Sequence, residues 1–357
     1  MRRWRLPILV LLSVSVAGCV NDIPSDQPPA VTARPAPSAA PPSPVHLVVL
    51  QRHADPAGGD RIAITGRGGR LEAEATFRPP PPPSRPEPQV AAGAVHFLDA
   101  AGMVRRLSPA GGPAQAVATL PQPGAGAVDF AVSPDGGRVM ASVLTPAAAR
   151  GRAGRVDLLL SVAGGAAALL RRLPVPAGAT TALRVAGWDV AGPVVVPDAP
   201  ITPPPGTDGG GLWRGHPAHA DLRGAVGPRL GDAACALSRV QPDDGLLCVG
   251  TDGAGGSVAA VYSEGQLLHR FAGVGAAPLL APGGERVAST SGVGRGAVEG
   301  VDGRTEVLAA AAGAPVAWLD AATVVGIGTG GLTSVALDPT GRVVELGITG
   351  EVAGVIR

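Results

Sequence analysis

Short apolar runs of four to six residues, each closed by a corner of Gly, Asp or Pro, recur from residue 46 to residue 356, and helical periodicity is nearly absent. Runs this short, bounded by residues that favour tight turns, read as β-strands. A chain made only of such pieces has no helices to cover a core and must pack sheet against sheet. The series begins with 46–50 (HLVVL), 61–65 (RIAIT) and 70–77. Next, 94–98 (AVHFL) pairs naturally with 103–107 (MVRRL) across Asp99-Ala100-Ala101-Gly102. The proline cluster 79–83 interrupts the series, and because proline has no N–H to give a sheet interior, that stretch is expected as a loop.

The clearest unit is 128–143 (VDFAVSPDGGRVMASV), continued by 155–162 and 168–175 to make four strands in about 50 residues. Weaker echoes stand at 277–289 and at 316–320 followed by 323–327. Between the clear unit and these echoes, 257–262 (SVAAVY) and 266–271 (QLLHRF) read as an inner strand pair. Phe130-Ala131-Val132-Ser133-Pro134-Asp135-Gly136 resembles the Phe-Ser-Pro-Asp-Gly turn of the WD40-like and TolB-like propeller repeats. In such a turn Pro134 sets φ at the first corner, Asp135 bonds back to the backbone, and Gly136 takes the conformation other residues resist.

The resemblance spans about 300 residues as a rhythm and about 15 as clear motif, and the Trp-Asp pair of WD40 repeats occurs once, at Trp188-Asp189. It implies an all-β propeller over 45–357, with units near 45–88, 92–122, 126–175, 180–230, 232–272, 275–311 and 313–347. Seven units lie within the usual range of about four to eight blades. Residues 347–356 can join the seventh unit or the first; joining the first closes the ring and removes two sheet edges. A broken ring of six blades, or a pair of β-sandwiches, is the alternative. An aromatic content of 3% stands somewhat against a standard WD40 ring.

Ahead of this body the chain opens with Met1-Arg2-Arg3-Trp4-Arg5, an apolar stretch over 6–16, and the small residues Ala17 and Gly18 before Cys19. A basic start, a short apolar core and small residues before the cut are the parts of a secretory signal. The apolar stretch falls short of the roughly 20 residues a membrane-spanning helix needs. Val16-Ala17-Gly18-Cys19 resembles the bacterial lipobox. That resemblance implies cleavage after Gly18, a diacylglycerol on the Cys19 sulfur, and attachment to the cell membrane on its extracytoplasmic face. Two acyl chains hold a protein stably where one holds it marginally. An ordinary signal peptide that happens to contain Cys, or an uncleaved anchor, is the alternative. Residues 20–44 carry eight prolines among Ala and Ser, a linker that favours extended polyproline conformations and reaches roughly 70 Å at about 3 Å per residue.

Charge narrows the partners. The formal net charge is +1, and removing the leader with its three arginines and no acid leaves −2, so nothing attracts nucleic acid. All 29 basic residues are Arg, which with heavy Ala, Gly and Pro usage reads as the coding bias of a GC-rich bacterium rather than as a binding surface.

With Cys19 assigned to lipid, Cys235 and Cys248 remain, and in an oxidising compartment they are candidates for a disulfide. The bond requires a wide loop from Ser238 to Gly245; a tight turn at Asp243-Asp244 sets Cys248 against Arg239 instead. Two buried free thiols are the alternative.

Chemistry-bearing motifs are sparse. Arg52-His53, with Gly215-His216-Pro217 far downstream, resembles the start and second motif of a histidine phosphatase, in which His53 is the nucleophile, Arg52 binds phosphate and His216 supports it. That fold alternates long helices with parallel strands, and 77–216 offers prolines and hairpins. His216, His219 and Asp221 lie in a Gly/Pro-rich insertion without a well-placed third zinc ligand. The Asp208-Gly209 and Asp252-Gly253 turns lack the alternating oxygens of a calcium loop. No phosphate-binding loop with its Lys and no serine nucleophile elbow occurs. Trp213, beside the loop histidines, marks a contact patch or simply covers a blade. The expectation is therefore a lipid-anchored binding module for a protein, peptide or envelope component, with no cofactor and no metal. An extracytoplasmic enzyme, using His53 or a site in a central channel, is the alternative.

Overall fold

The computed structural model describes residues 44–357 except 56–57, 122–125, 148–153, 163, 176–182, 190–191, 198–212, 216–221, 225–228, 231–232, 235, 242–244, 252–254, 264–265, 293 and 338–340. Only the backbone is described for 197, 213–215, 222–224, 229–230, 233–234, 236–239 and 241. Leader, Cys19 and linker thus lie outside the described residues, as do Cys235, His216, His219, Asp221 and the Asp208 and Asp252 turns.

Seven four-stranded sheets and one two-stranded ribbon form among the described residues. In chain order the sheets, here blades 1–7, span 46–77, 89–119, 128–175, 183–224, 236–272, 276–307 and 314–345, with the ribbon at Arg229–Leu230 and Ala233–Ala234 between blades 4 and 5. Within each blade consecutive strands pair antiparallel. Blade 1 is the exception in origin: its fourth strand, Glu351–Ile356, comes from the far end and pairs with His46–Gln51, His46 opposite Ile356 and Leu47 opposite Val355. The register shifts between Val48 and Val49, so one extra residue on the returning strand bends it along the ring. Of the two fates open to 347–356, the structure takes the one that leaves no open end.

Seven hydrophobic cores lie between consecutive blades. Val48, Ile62 and Ile64 of blade 1 meet Val95, Phe97 and Leu107 of blade 2. Leu98 and Val104 of blade 2 meet Phe130, Val139 and Ala141 of blade 3. Further round, Met140 and Leu158 pack on Val185 and Trp188, Val194 on Cys248 and Tyr262, Leu247 and Phe271 on Val287, and Ala288 and Val298 on Trp318 and Val324. The circuit closes where Leu319 and Val325 of blade 7 pack on Leu47 and Val49 of blade 1. Residues alternate along each strand, so Val48 and Leu50 enter one core while Leu47 and Val49 enter the next. A strand buried on both faces must read as a continuous apolar run, as these do.

Aromatic side chains are few but strategically placed: Phe97, Phe130, Trp188, Tyr262, Phe271 and Trp318 each fill a different interface. The Trp318 indole N–H also donates to the Leu279 carbonyl at 2.9 Å, tying blade 7 to blade 6. A low aromatic content is therefore compatible with the ring: one large side chain serves each of six interfaces, and the closing one packs aliphatic residues alone.

One assignment from the sequence needs correction. Ser257–Ser263 and Gln266–Ala272 are the third and outermost strands of blade 5, not an inner pair; Ala236–Gln241 is the inner strand. The solvent-facing burial of Gln266–Ala272 marks it as an edge.

Candidate functional site in the central channel

The innermost strands are Glu351–Ile356, Gln89–Ala91, Val128–Val132, Leu183–Asp189, Ala236–Gln241, Ala276–Leu280 and Ala314–Asp320. All seven contribute to the wall of one cavity of about 930 Å³. Crowding at the centre selects small residues. A Cβ on Gly354 would stand 2.6 Å from Val90 Cγ2 across the blade 1–2 junction. One on Gly187, at φ +153, would stand 2.7 Å from Val240 Cβ across the blade 4–5 junction. No backbone approach this close tolerates a larger side chain without movement.

Most polar groups on this wall hold the blades together. Asp129 accepts from the N–H of Phe130 and, across the junction, from that of Val185, each at 3.0 Å. The buried Ser142 hydroxyl donates to the Leu183 carbonyl at 2.8 Å. Arg357 donates to the Trp318 carbonyl at 3.3 Å.

The proline-rich stretch expected as a loop is one, and it lies against the channel. Pro83 to Pro88 all line the cavity. Ser84 anchors them: its buried hydroxyl donates to the Gly126 carbonyl at 2.9 Å and accepts from the Val128 N–H at 2.7 Å. Proline supplies no N–H that would need a partner, so such a stretch can lie on the sheet without joining it. The same loop presents Arg85, half-buried and with its Nε shielded and lacking an acceptor, and Glu87, exposed. Neither side chain makes an ion pair among the described residues. A second cavity, of about 570 Å³ between blades 1 and 2, contrasts with this: its Arg105 pairs with Asp99 at 2.6 Å.

His96 is the most perturbed titratable group described. Wholly buried on Ala94–Leu98, it faces Arg106 and Gln89 across the sheet, and neither ring nitrogen has a side-chain partner. Burial first, then the neighbouring Arg106 charge, lowers its pKa from 6.5 to about 4, so it is neutral at neutral pH. Leu98 and Val104, on the same side of the sheet, belong to the blade 2–3 core, which places His96 inside the wall rather than in the channel.

The Ser133–Gly136 turn has the expected geometry. Asp135 accepts from the Ser133 hydroxyl at 2.5 Å and the Gly137 N–H at 3.0 Å, and the Ser133 hydroxyl accepts from the Arg138 N–H at 2.9 Å. These bonds hold the Asp135 carboxyl below its usual 3.8, the Ser133 bond contributing most. Pro134 accepts from Ala92 N–H at 3.1 Å, so the turn also touches blade 2. The echo at 281–286 keeps the backbone pattern, Ala281 N–H to Arg286 carbonyl and Gly284 N–H to Ala281 carbonyl, without the Ser and Asp side chains.

The phosphatase alternative finds no support in these positions. His53 is exposed in a turn, its Nδ1 2.8 Å from the Asp55 carbonyl, and Arg52 pairs with Glu351 at 2.9 Å. All named strand pairs are antiparallel and the helical geometry among the described residues is 3-10, at Gly58 and over Ala310–Ala312, whereas that fold needs long helices between parallel strands. Among the described residues no group of three or more His, Cys, Asp or Glu is placed to hold a metal. Cys248 is fully buried in the blade 4–5 core, and its backbone partner is Leu237, with the register shifting between Leu237 and Arg239.

The sequence matches no protein-family model and no curated protein sequence. Its fold is similar to that of solved structures. An oligogalacturonate lyase in complex with manganese superposes with a TM-score of 0.54 at 10% identity, over 83% of this chain and 91% of that one. The oligogalacturonate lyase of Vibrio parahaemolyticus gives 0.54 at 7% identity, over 85% and 93%. A protein from Lactobacillus plantarum gives 0.46 at 14% identity, over 88% and 98%. At such identities the likeness concerns the fold: the chain is a β-propeller.

Proposed function

We propose that the chain is a lipid-anchored extracytoplasmic propeller whose channel binds a protein, peptide or envelope component. The observation that carries this reading is the channel itself. It is a cavity of about 930 Å³, a size that suits a ligand, walled by polar groups that mostly brace the ring and by one loop whose charges are left without partners. The lipobox-like Val16-Ala17-Gly18-Cys19 supports the anchor, and the proline-rich 20–44 supports a spacer that lifts the ring off the lipid. In that oxidising setting Cys235 and Cys248 remain the candidate disulfide pair, although the hairpin, with Gln241 opposite Gly245, does not form the wide loop that the sequence suggested for it.

Two measurements test the two halves. Mass spectrometry of the native mature protein is expected to find a diacylated Cys19 at the amino terminus, and Cys19→Ala to shift the protein from membrane to soluble fraction. A photo-crosslinker installed in whole cells at Ala277, on the channel wall, is expected to capture one specific partner. The same group at Thr305, on an outer strand, is expected not to. Equal capture from both positions refutes channel binding.

A second reading, a lyase acting in the channel, rests on the likeness to the oligogalacturonate lyases. Incubation with oligogalacturonate and manganese, followed for unsaturated products, distinguishes it: product formation that is lost on blocking the channel favours the enzyme.

A further inference from the structure

Resting on the reading of the channel as a binding site, we infer that Arg85 and Glu87 together recognise a zwitterionic ligand, a short peptide with free ends. Arg85 takes its carboxylate and Glu87 its ammonium.

The local sequence is Arg85-Pro86-Glu87-Pro88. A residue that precedes proline is driven out of the helical region into extended backbone, and here both charged residues precede one. Both residues line the same cavity, anchored by Ser84 immediately before them. Alternate prolines thus hold two opposite charges at the wall of one cavity at a fixed backbone spacing.

Neither charge is balanced. Arg85 makes no ion pair among the described residues, and its shielded Nε lacks an acceptor. Glu87 likewise has no cationic partner among the described residues, and the two do not pair with each other. Elsewhere in the molecule several arginines find carboxylates, Arg105 with Asp99, Arg172 with Asp157 and Arg52 with Glu351, while the buried Arg106 Nε, like that of Arg85, has no acceptor. A lone oxyanion would satisfy Arg85 but be repelled by Glu87, and a dianion more strongly. A lone cation meets the reverse conflict. A ligand carrying one charge of each sign satisfies both. The Cα atoms of residues two apart in an extended or polyproline segment stand about 6–7 Å from each other, close to the distance between the ends of a dipeptide.

The experiment is isothermal titration of the full-length chain with dialanine, N-acetyl-dialanine and dialanine amide, at low and high salt. Dialanine is expected to bind, and each blocked form to bind about tenfold more weakly, the loss of one charge-assisted contact at a partly exposed site. Arg85→Gln is expected to abolish the difference between dialanine and its amide while keeping the effect of acetylation. Glu87→Gln is expected to do the converse. Unchanged thermal melts show that both variants fold. Equal binding of all three peptides, or no binding of dialanine, overturns the inference. Digalacturonate runs in parallel: if it binds with dependence on Arg85 but not Glu87, while dialanine does not bind, the channel still binds a ligand and the zwitterion assignment alone fails.

Discussion

His96 makes a sharp prediction because its surroundings disfavour the protonated ring. In the folded ring its pKa is about 4, against 6.5 when unfolded, so the unfolded chain holds more protons at any pH between these values. Stability must then rise with pH: His96 imposes no loss above about 6.5, and an increasing loss as pH falls toward 4. Integrating the two titrations gives about 2 kcal/mol lost at pH 5 and about 3 kcal/mol once both forms are protonated. Carboxylates titrate in the same range, so the wild-type curve alone does not isolate the effect. The comparison is with His96→Gln, which cannot titrate. Urea unfolding followed by tryptophan fluorescence suits the purpose, because Trp188 and Trp318 are buried between blades and report loss of the ring. Between pH 7.5 and pH 5 wild type is expected to lose about 2 kcal/mol more than the variant, whatever the variant's stability at neutral pH. Parallel losses in the two proteins would refute the argument, showing that protonated His96 is held by more than the backbone of Gln89, which only partly offsets burial and the Arg106 charge.

Three further outcomes follow from the packing. Gly354→Val forces a side chain against Val90 at the closing junction and is expected to destabilise by about 1–3 kcal/mol in the same urea assay, while Gly292→Ala, with open space around its Cβ, is expected to stay near neutral. Asp135→Ala removes the bonds to Ser133 and Gly137 and is expected to cost about 1 kcal/mol at pH 7; because folding lowers the Asp135 pKa, the difference from wild type is expected to shrink as pH falls through and below 3.8. Protein isolated from an oxidising compartment and unfolded in denaturant is expected to gain alkyl groups on Cys235 and Cys248 only after reduction, and alkylation in denaturant without reductant shows free thiols instead.

How much of this was readable in the sequence depends on whether the signal was local. The turn at Ser133–Gly136 was, because its residue types each satisfy a bond within the turn itself. Blade boundaries were also legible, since a strand buried on both faces writes itself as an apolar run. The order of strands from centre to rim was not, as blade 5 shows. What separates the inner strand Ala236–Gln241 from the outer strand Gln266–Ala272 is their place in the sheet and the ring, and no single segment records it. His96 was invisible for a related reason. In the run AVHFL nothing distinguishes a histidine facing solvent from one shut between two blades, and only the second sheet decides it. The loop 79–83 was recognised as a loop from its prolines, but its place against the channel follows from Ser84, whose partners at Gly126 and Val128 lie more than 40 residues away.

That loop also connects the ring's closure with its channel. It leaves the outer strand Leu71–Phe77 of blade 1, the blade completed by Glu351–Ile356, and runs into Gln89–Ala91, the inner strand of blade 2. The closing strand and the loop therefore face the same cavity from adjoining blades, and Val352 to Arg357 share its wall with Arg85 and Glu87. A molecule held between the inner strands touches both sides of the junction where the two ends of the propeller meet. Anything that binds the closed ring and not the open one stabilises closure by mass action, by about 2.7 kcal/mol at a hundredfold excess over its dissociation constant. Ligand binding and ring integrity are thus one equilibrium viewed from two sides.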